Sequence, residues 1–81
     1  MPTKRNQAAI YKSVPTYLRG MREKAGLTQR QLADRIGQSQ WWVARSETGS
    51  RRIDVAEFIE FCVGCRMAPP AALVELMKLR R

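Results

Sequence analysis

Between Gly26 and Gly49 the sequence holds two short helices with almost no chain between them. Thr28-Gln29-Arg30-Gln31 has the form of a capping box. The Thr28 hydroxyl can accept from the backbone N–H of Gln31, and the Gln31 side chain can reach back to the cap. Leu32, Ala33 and Ile36 follow as a buried face, and Gly37 ends the helix. Only Gln38 separates that stop from Ser39, the next cap. The helix that Ser39 opens runs from Gln40 to about Glu47, with Trp41, Trp42, Val43 and Ala44 as its apolar positions, and it closes on Thr48-Gly49-Ser50.

The flanking segments also read as helices. Val14, Leu18, Met21 and Ala25 fall at helical spacing, which predicts a first helix near 15–25 with Pro15 in its first turn. Residues 1–12 open with a polar, basic run without periodicity and read as a flexible arm. Asp54 caps a fourth helix with Glu57 in its first turn, where a carboxylate complements the helix dipole. Val55, Phe58, Ile59, Cys62 and Cys65 mark the inner face of that helix. Pro69-Pro70 opens a last helix to about Leu79. The expectation is an all-α fold: a compact five-helix bundle forming one domain over 13–81, preceded by the arm at 1–12.

Composition narrows the function. Fifteen Lys and Arg against seven Asp and Glu give a net charge of +8, and the 81 residues contain no His. Histidine-based acid–base chemistry and histidine metal sites are thereby excluded, and no Gly-rich phosphate loop or paired-carboxylate cleft is visible. An enzyme is not expected, nor a cofactor. The charge is uneven. Residues 1–53 hold eleven basic and three acidic side chains, whereas residues 54–81 hold four of each sign. A basic part joined to a neutral part suggests a polyanion-binding face beside a packing or oligomerisation element. No apolar run reaches the length of a membrane span or a signal-peptide core, so the expected location is the cytoplasm, on the nucleoid, with no membrane contact. Cys62 and Cys65 make one C-x-x-C. Without His or a second pair, these cysteines read as small apolar core residues rather than as a redox switch or metal site.

A helix that enters a DNA major groove needs polar side chains at its N-terminal end and an apolar stripe that holds it to its scaffold. The helix after Ser39 has both. In Gly26-Leu27-Thr28-Gln29, Gln31-Leu32-Ala33, Ile36-Gly37, Ser39-Gln40, Val43, Arg45, Glu47 and Gly49, the sequence resembles the XRE/Cro helix-turn-helix family, the group of the lambdoid phage repressors. The resemblance covers about 15–67, with the helix-turn-helix proper at about 28–48. It departs from the family pattern at Trp41, where a small polar residue is usual, at Ser46, where a large apolar one is common, and at Arg66, a position often held by Gly.

The resemblance implies a sequence-specific regulator of transcription that binds double-stranded DNA as a homodimer on a palindromic operator, and with no effector domain in the chain, repression by promoter occlusion, often of its own gene, as the simplest output. Gln40, Trp41 and Arg45 match positions facing the bases, where Gln pairs with adenine and Arg with guanine. Thr28, Gln29 and Ser39, with Arg51 and Arg52 after the recognition helix, are expected on backbone phosphates, and Arg30, Lys4 and Arg5 are weaker candidates of the same kind. Arg22 and Glu47 match a buried ion pair. The last helix is apolar nearly all round, so one side meets the core and the other, through Leu73, Leu76 and Met77, is expected to meet a second copy. The alternative is a protein-interaction module, such as an antitoxin, that docks a toxin or other partner through Trp41 and Trp42, with or without DNA binding.

Overall fold

A computed structural model describes residues 3–79 of the chain, and side chains from residue 11 onward. Five helices follow one another: α1 Thr3–Lys24, α2 Gln29–Ile36, α3 Gln40–Thr48, α4 Val55–Gly64 and α5 Pro69–Leu79. There is no strand among the described residues. Helix α1 packs on α3 and α5, α2 packs on α3 and α4, and α4 packs on α5. One core lies between them, built from Leu18, Met21, Leu32, Ala33, Trp42, Val43, Phe61, Cys62, Cys65 and Ala72.

The caps read from the sequence define the central elements. The N–H of Gln31 donates to Thr28 Oγ1 at 3.1 Å, and the N–H of Thr28 donates to Gln31 Oε1 at 2.9 Å. Asp54 and Glu57 make the same reciprocal pair at the start of α4, at 2.8 and 2.9 Å. Ser39 Oγ accepts from the N–H of Trp42 at 3.0 Å. Gly37 sits at φ 70°, in the left-handed region that ends α2 without a Cβ penalty.

The first helix differs from the expectation. It starts at Thr3 rather than near residue 15, so the arm expected over 1–12 is, from Thr3 on, part of α1, and Pro15 lies inside the helix. Met1 and Pro2, and the side chains of Lys4 and Arg5, lie outside the described residues. The physical reason is that Pro15 removes one N–H but holds φ at a helical value, so a helix interrupted by one missing bond can pass through it. The polar run before it lacks an apolar stripe, yet a helix does not need one where its residues are good helix formers, such as Ala8 and Ala9.

Two features fix how α4 joins the rest. Gly64 lets α4 approach α2 closely: a Cβ there would lie 2.6 Å from Ile36 Cγ2 and 2.7 Å from Leu32 Cδ1. Arg35 donates to the Gly64 carbonyl at 3.0 Å across the same contact. After α4 the chain reverses at Arg66, a non-glycine residue at φ 58°. The N–H of Met67 donates to the Cys62 carbonyl and that of Arg66 to the Val63 carbonyl, at 2.9 and 3.0 Å, which closes the helix end. Helix α5 is tied to α1 by the Tyr17 hydroxyl, which donates to Glu75 Oε1 at 2.7 Å.

Candidate nucleic-acid interface

Helix α3 has two unlike faces. Trp42, Val43, Ser46 and Glu47 are buried. Gln40, Trp41, Arg45 and Thr48 are exposed. The buried face is held three ways. Trp42 stacks at a tilt on Phe61, with ring centroids 6.5 Å apart. The Ser46 hydroxyl donates to the Trp42 carbonyl at 2.8 Å, so the small polar residue found there is fully paired within the core. Glu47 takes two hydrogen bonds from Arg22, from Nε at 2.6 Å and Nη2 at 3.0 Å. The remaining Arg22 Nη1 donates to the Leu27 carbonyl at 2.7 Å. This bidentate pair joins α1 to the end of α3, and its hydrogen bonds favour the charged guanidinium strongly enough to outweigh burial, so the Arg22 pKa is raised.

The buried network also reaches outward. Gln29, half-buried at the start of α2, donates through Nε2 to Glu47 Oε1 at 3.2 Å. Thr28 and Ser39 use their hydroxyl oxygens as caps and keep their O–H groups as donors on an exposed edge. Arg30 Nη2 donates to Gln40 Oε1 at 3.3 Å, which links the first turn of α2 to the first turn of α3. The Arg45 guanidinium carbon lies 4.9 Å from the centre of the Trp41 ring. The structure thus brings Arg30 beside Gln40 and Arg45 beside Trp41, and Thr28 and Ser39 are exposed at the N-terminal ends of α2 and α3.

The two loop arginines part company. Arg51 is half-buried and turned inward. It pairs with Glu57 at 3.0 Å, donates to Ser46 Oγ at 3.4 Å, and lies 4.8 Å over the Trp42 ring. Its guanidinium braces the loop after α3 against α4. The cause is Glu57, six residues away, which serves both as an N-terminal cap and as the carboxylate that Arg51 meets. Arg52 is exposed, with its guanidinium 4.1 Å from the centre of the Tyr11 ring. Tyr11 was not a candidate from sequence, because the segment around it carries no periodicity to place it beside the loop.

Trp42 is 8% exposed and Trp41 60%. Trp41 is thus the exposed one of the two indoles, because adjacent helix positions point about 100° apart. Cys62 and Cys65 are free and buried, and burial pushes both thiols up to about 11. Helix α5 exposes Leu73, Val74 and Met77, while α4 exposes Val55 and Ile59. Leu76 is half-buried and, with Leu73, Phe58 and Ile59, lines a groove between α4 and α5. Among the described residues no helix is long and apolar enough to cross a membrane.

A capped helix, a three-residue turn and a second capped helix with one buried and one polar face define a helix-turn-helix DNA-binding domain. A family model described as a helix-turn-helix domain matches residues 16–76. An XRE-family like protein from Pseudomonas syringae pv. tomato str. DC3000 is 38% identical, with TM-score 0.88 over 96% of this chain and 95% of that one. A mutant of the restriction-modification controller protein C.Esp1396I is 18% identical, with TM-score 0.82 over 86% of this chain and 93% of that one. The clp gene regulator ClgR from Corynebacterium glutamicum is 20% identical, with TM-score 0.76 over 85% of this chain and 90% of that one. No match is found among curated proteins. The chain belongs to the XRE-type helix-turn-helix family, and its class is that of DNA-binding transcriptional regulators.

Proposed function

We propose that the protein is a homodimeric repressor that reads a palindromic operator by laying the exposed face of α3 in the major groove. The observation that carries this reading is the division of α3. Its inner face is locked by Trp42, Val43, Ser46 and Glu47, while Gln40 and Arg45 stand exposed on the other side. A helix held this firmly can present donors and acceptors to base edges at a fixed depth. Gln40 would meet adenine and Arg45 guanine. The Thr28 and Ser39 hydroxyls, the Gln29 amide, Arg30 and Arg52 would meet phosphates on either side, which sets register without reading sequence.

The apolar face on α4 and α5 supports the dimer. Val55 and Ile59 on α4 and Leu73 on α5 line one apolar groove, with Met77 also exposed on α5, and a twofold contact is the economical way to cover these side chains. Two recognition helices related in this way would enter successive major grooves about 34–36 Å apart. A dimer bound across a promoter blocks access to it, so repression is the output proposed.

The test is fluorescence anisotropy on the duplex upstream of the protein's own gene, beside a shuffled duplex of the same composition. Tighter binding to the native duplex that is lost in the Gln40→Ala/Arg45→Ala double variant supports an autoregulatory repressor. Tighter binding that survives the double variant contradicts the placement of α3.

A further inference from the structure

Trp41 and Arg45 are one helical turn apart on α3, and both are exposed. Side chains at this spacing are neighbours on the helix surface. Here the Arg45 guanidinium carbon lies over the indole, 4.9 Å from its centre. The geometry matters for what Arg45 can still do. Stacking occupies a face of the guanidinium plane, whereas its N–H donors point outward in that plane. An arginine stacked on an indole therefore keeps its fork free for the O6 and N7 of guanine. It also loses less freedom on binding, because a stiff aromatic plate has already restricted it.

We propose that Trp41 is a positioning residue for specificity: it holds Arg45 by cation–π stacking and presents its fork to one guanine, without reading a base of its own. This rests on the proposed entry of α3 into the major groove. It assigns a role to the indole at a position where a small polar side chain would leave Arg45 unsupported. Trp41 is 60% exposed and contributes little to the core, so its replacement should leave the fold intact.

The experiment uses a duplex selected by the wild-type protein from a random pool, together with every single-base replacement across one half-site. Binding is measured for wild type, Trp41→Leu, Trp41→Phe, Arg45→Ala and the Trp41→Leu/Arg45→Ala double variant. The expected result for Trp41→Leu is a loss of discrimination of about two- to fivefold, confined to the base pair that Arg45→Ala flattens. Trp41→Phe, which keeps an aromatic face, should retain most of that discrimination. In the Arg45→Ala background, Trp41→Leu should change nothing further. A change of preference at a different base pair, additive with Arg45→Ala, overturns the positioning role and makes Trp41 a direct reader.

The stack itself is read without DNA. Ring current from the indole should move the Arg45 side-chain proton resonances upfield in the wild type, and Trp41→Leu should abolish the shift. Absence of the shift in the wild type overturns the proposal whatever the DNA data show. Failure of the wild type to select any duplex removes the DNA reading along with the proposal, whereas additivity alone removes only the role of Trp41.

Discussion

Glu47 sits on the helix that faces DNA in the proposed complex, yet its hydrogen bonds run inward, to Arg22 and Gln29. Its side chain is 2% exposed. Removing one partner of a buried, bidentate pair strands the other charge, which costs about 3–5 kcal/mol. Glu47→Ala should therefore lower the urea midpoint sharply, and its DNA binding should fail because the fold has loosened; an unchanged midpoint contradicts this account. Glu57 carries the pH dependence. Hydrogen bonds from Arg51 and from the Asp54 backbone hold its carboxyl below the ordinary glutamate range. A lowered folded value means that its contribution is complete above the unfolded value and fades as pH falls through the folded one. Glu57→Gln preserves the capping box but not the ion pair, so the variant should be less stable than wild type at neutral pH, and the gap should close as the pH falls through the lowered folded value. A constant gap in denaturation midpoints would show that the pairing contributes nothing. At this scale the sequence is only partly legible. A separation of 25 positions between Arg22 and Glu47 carries no pairing signal of its own, and that pair is visible only through the family pattern. The Arg51–Glu57 pair was hidden because a basic loop residue looks the same whether its partner is a phosphate or a carboxylate.

Elements whose ends are set by neighbouring residues are the ones that can be read from sequence. Thr28, Gly37, Ser39 and Asp54 act through bonds three or four positions away, so the bounds of α2, α3 and α4 follow from local chemistry. The start of α1 does not. No cap and no apolar stripe marks Thr3, and Pro15 looks like a helix opening when it is an interior residue. Close approach between elements is likewise invisible locally. Nothing in the sequence says that Gly64 faces Ile36 and Leu32 rather than solvent. Gly64→Ala should cost about 1–3 kcal/mol by forcing α4 away from α2, despite the better helix propensity of Ala. Thermal unfolding tests this, and a rise in Tm would show that the α2–α4 contact yields without cost.

At the scale of the molecule, the charge and the apolar surface are segregated. The basic excess lies within residues 1–53, which carry the helix-turn-helix, and the exposed apolar side chains of Val55, Ile59, Leu73 and Met77 lie within the neutral remainder. This arrangement suits a protein that presents one side to a polyanion and the other to its own copy. Leu73→Glu/Met77→Glu should shift sedimentation to the monomer while leaving the circular dichroism of the helices unchanged, because both side chains are about half exposed. The same variant should lose operator affinity through loss of the second half-site. A dimer that survives both substitutions places the interface elsewhere. The central claim, that the exposed face of α3 reads sequence, is tested most directly by selecting duplexes from a random pool with the wild-type protein. The account predicts enrichment of an inverted repeat whose half-sites are centred about one helical turn apart, and loss of that enrichment in the Gln40→Ala/Arg45→Ala variant. A pool that stays unenriched, or the same repeat recovered by both proteins, would contradict it.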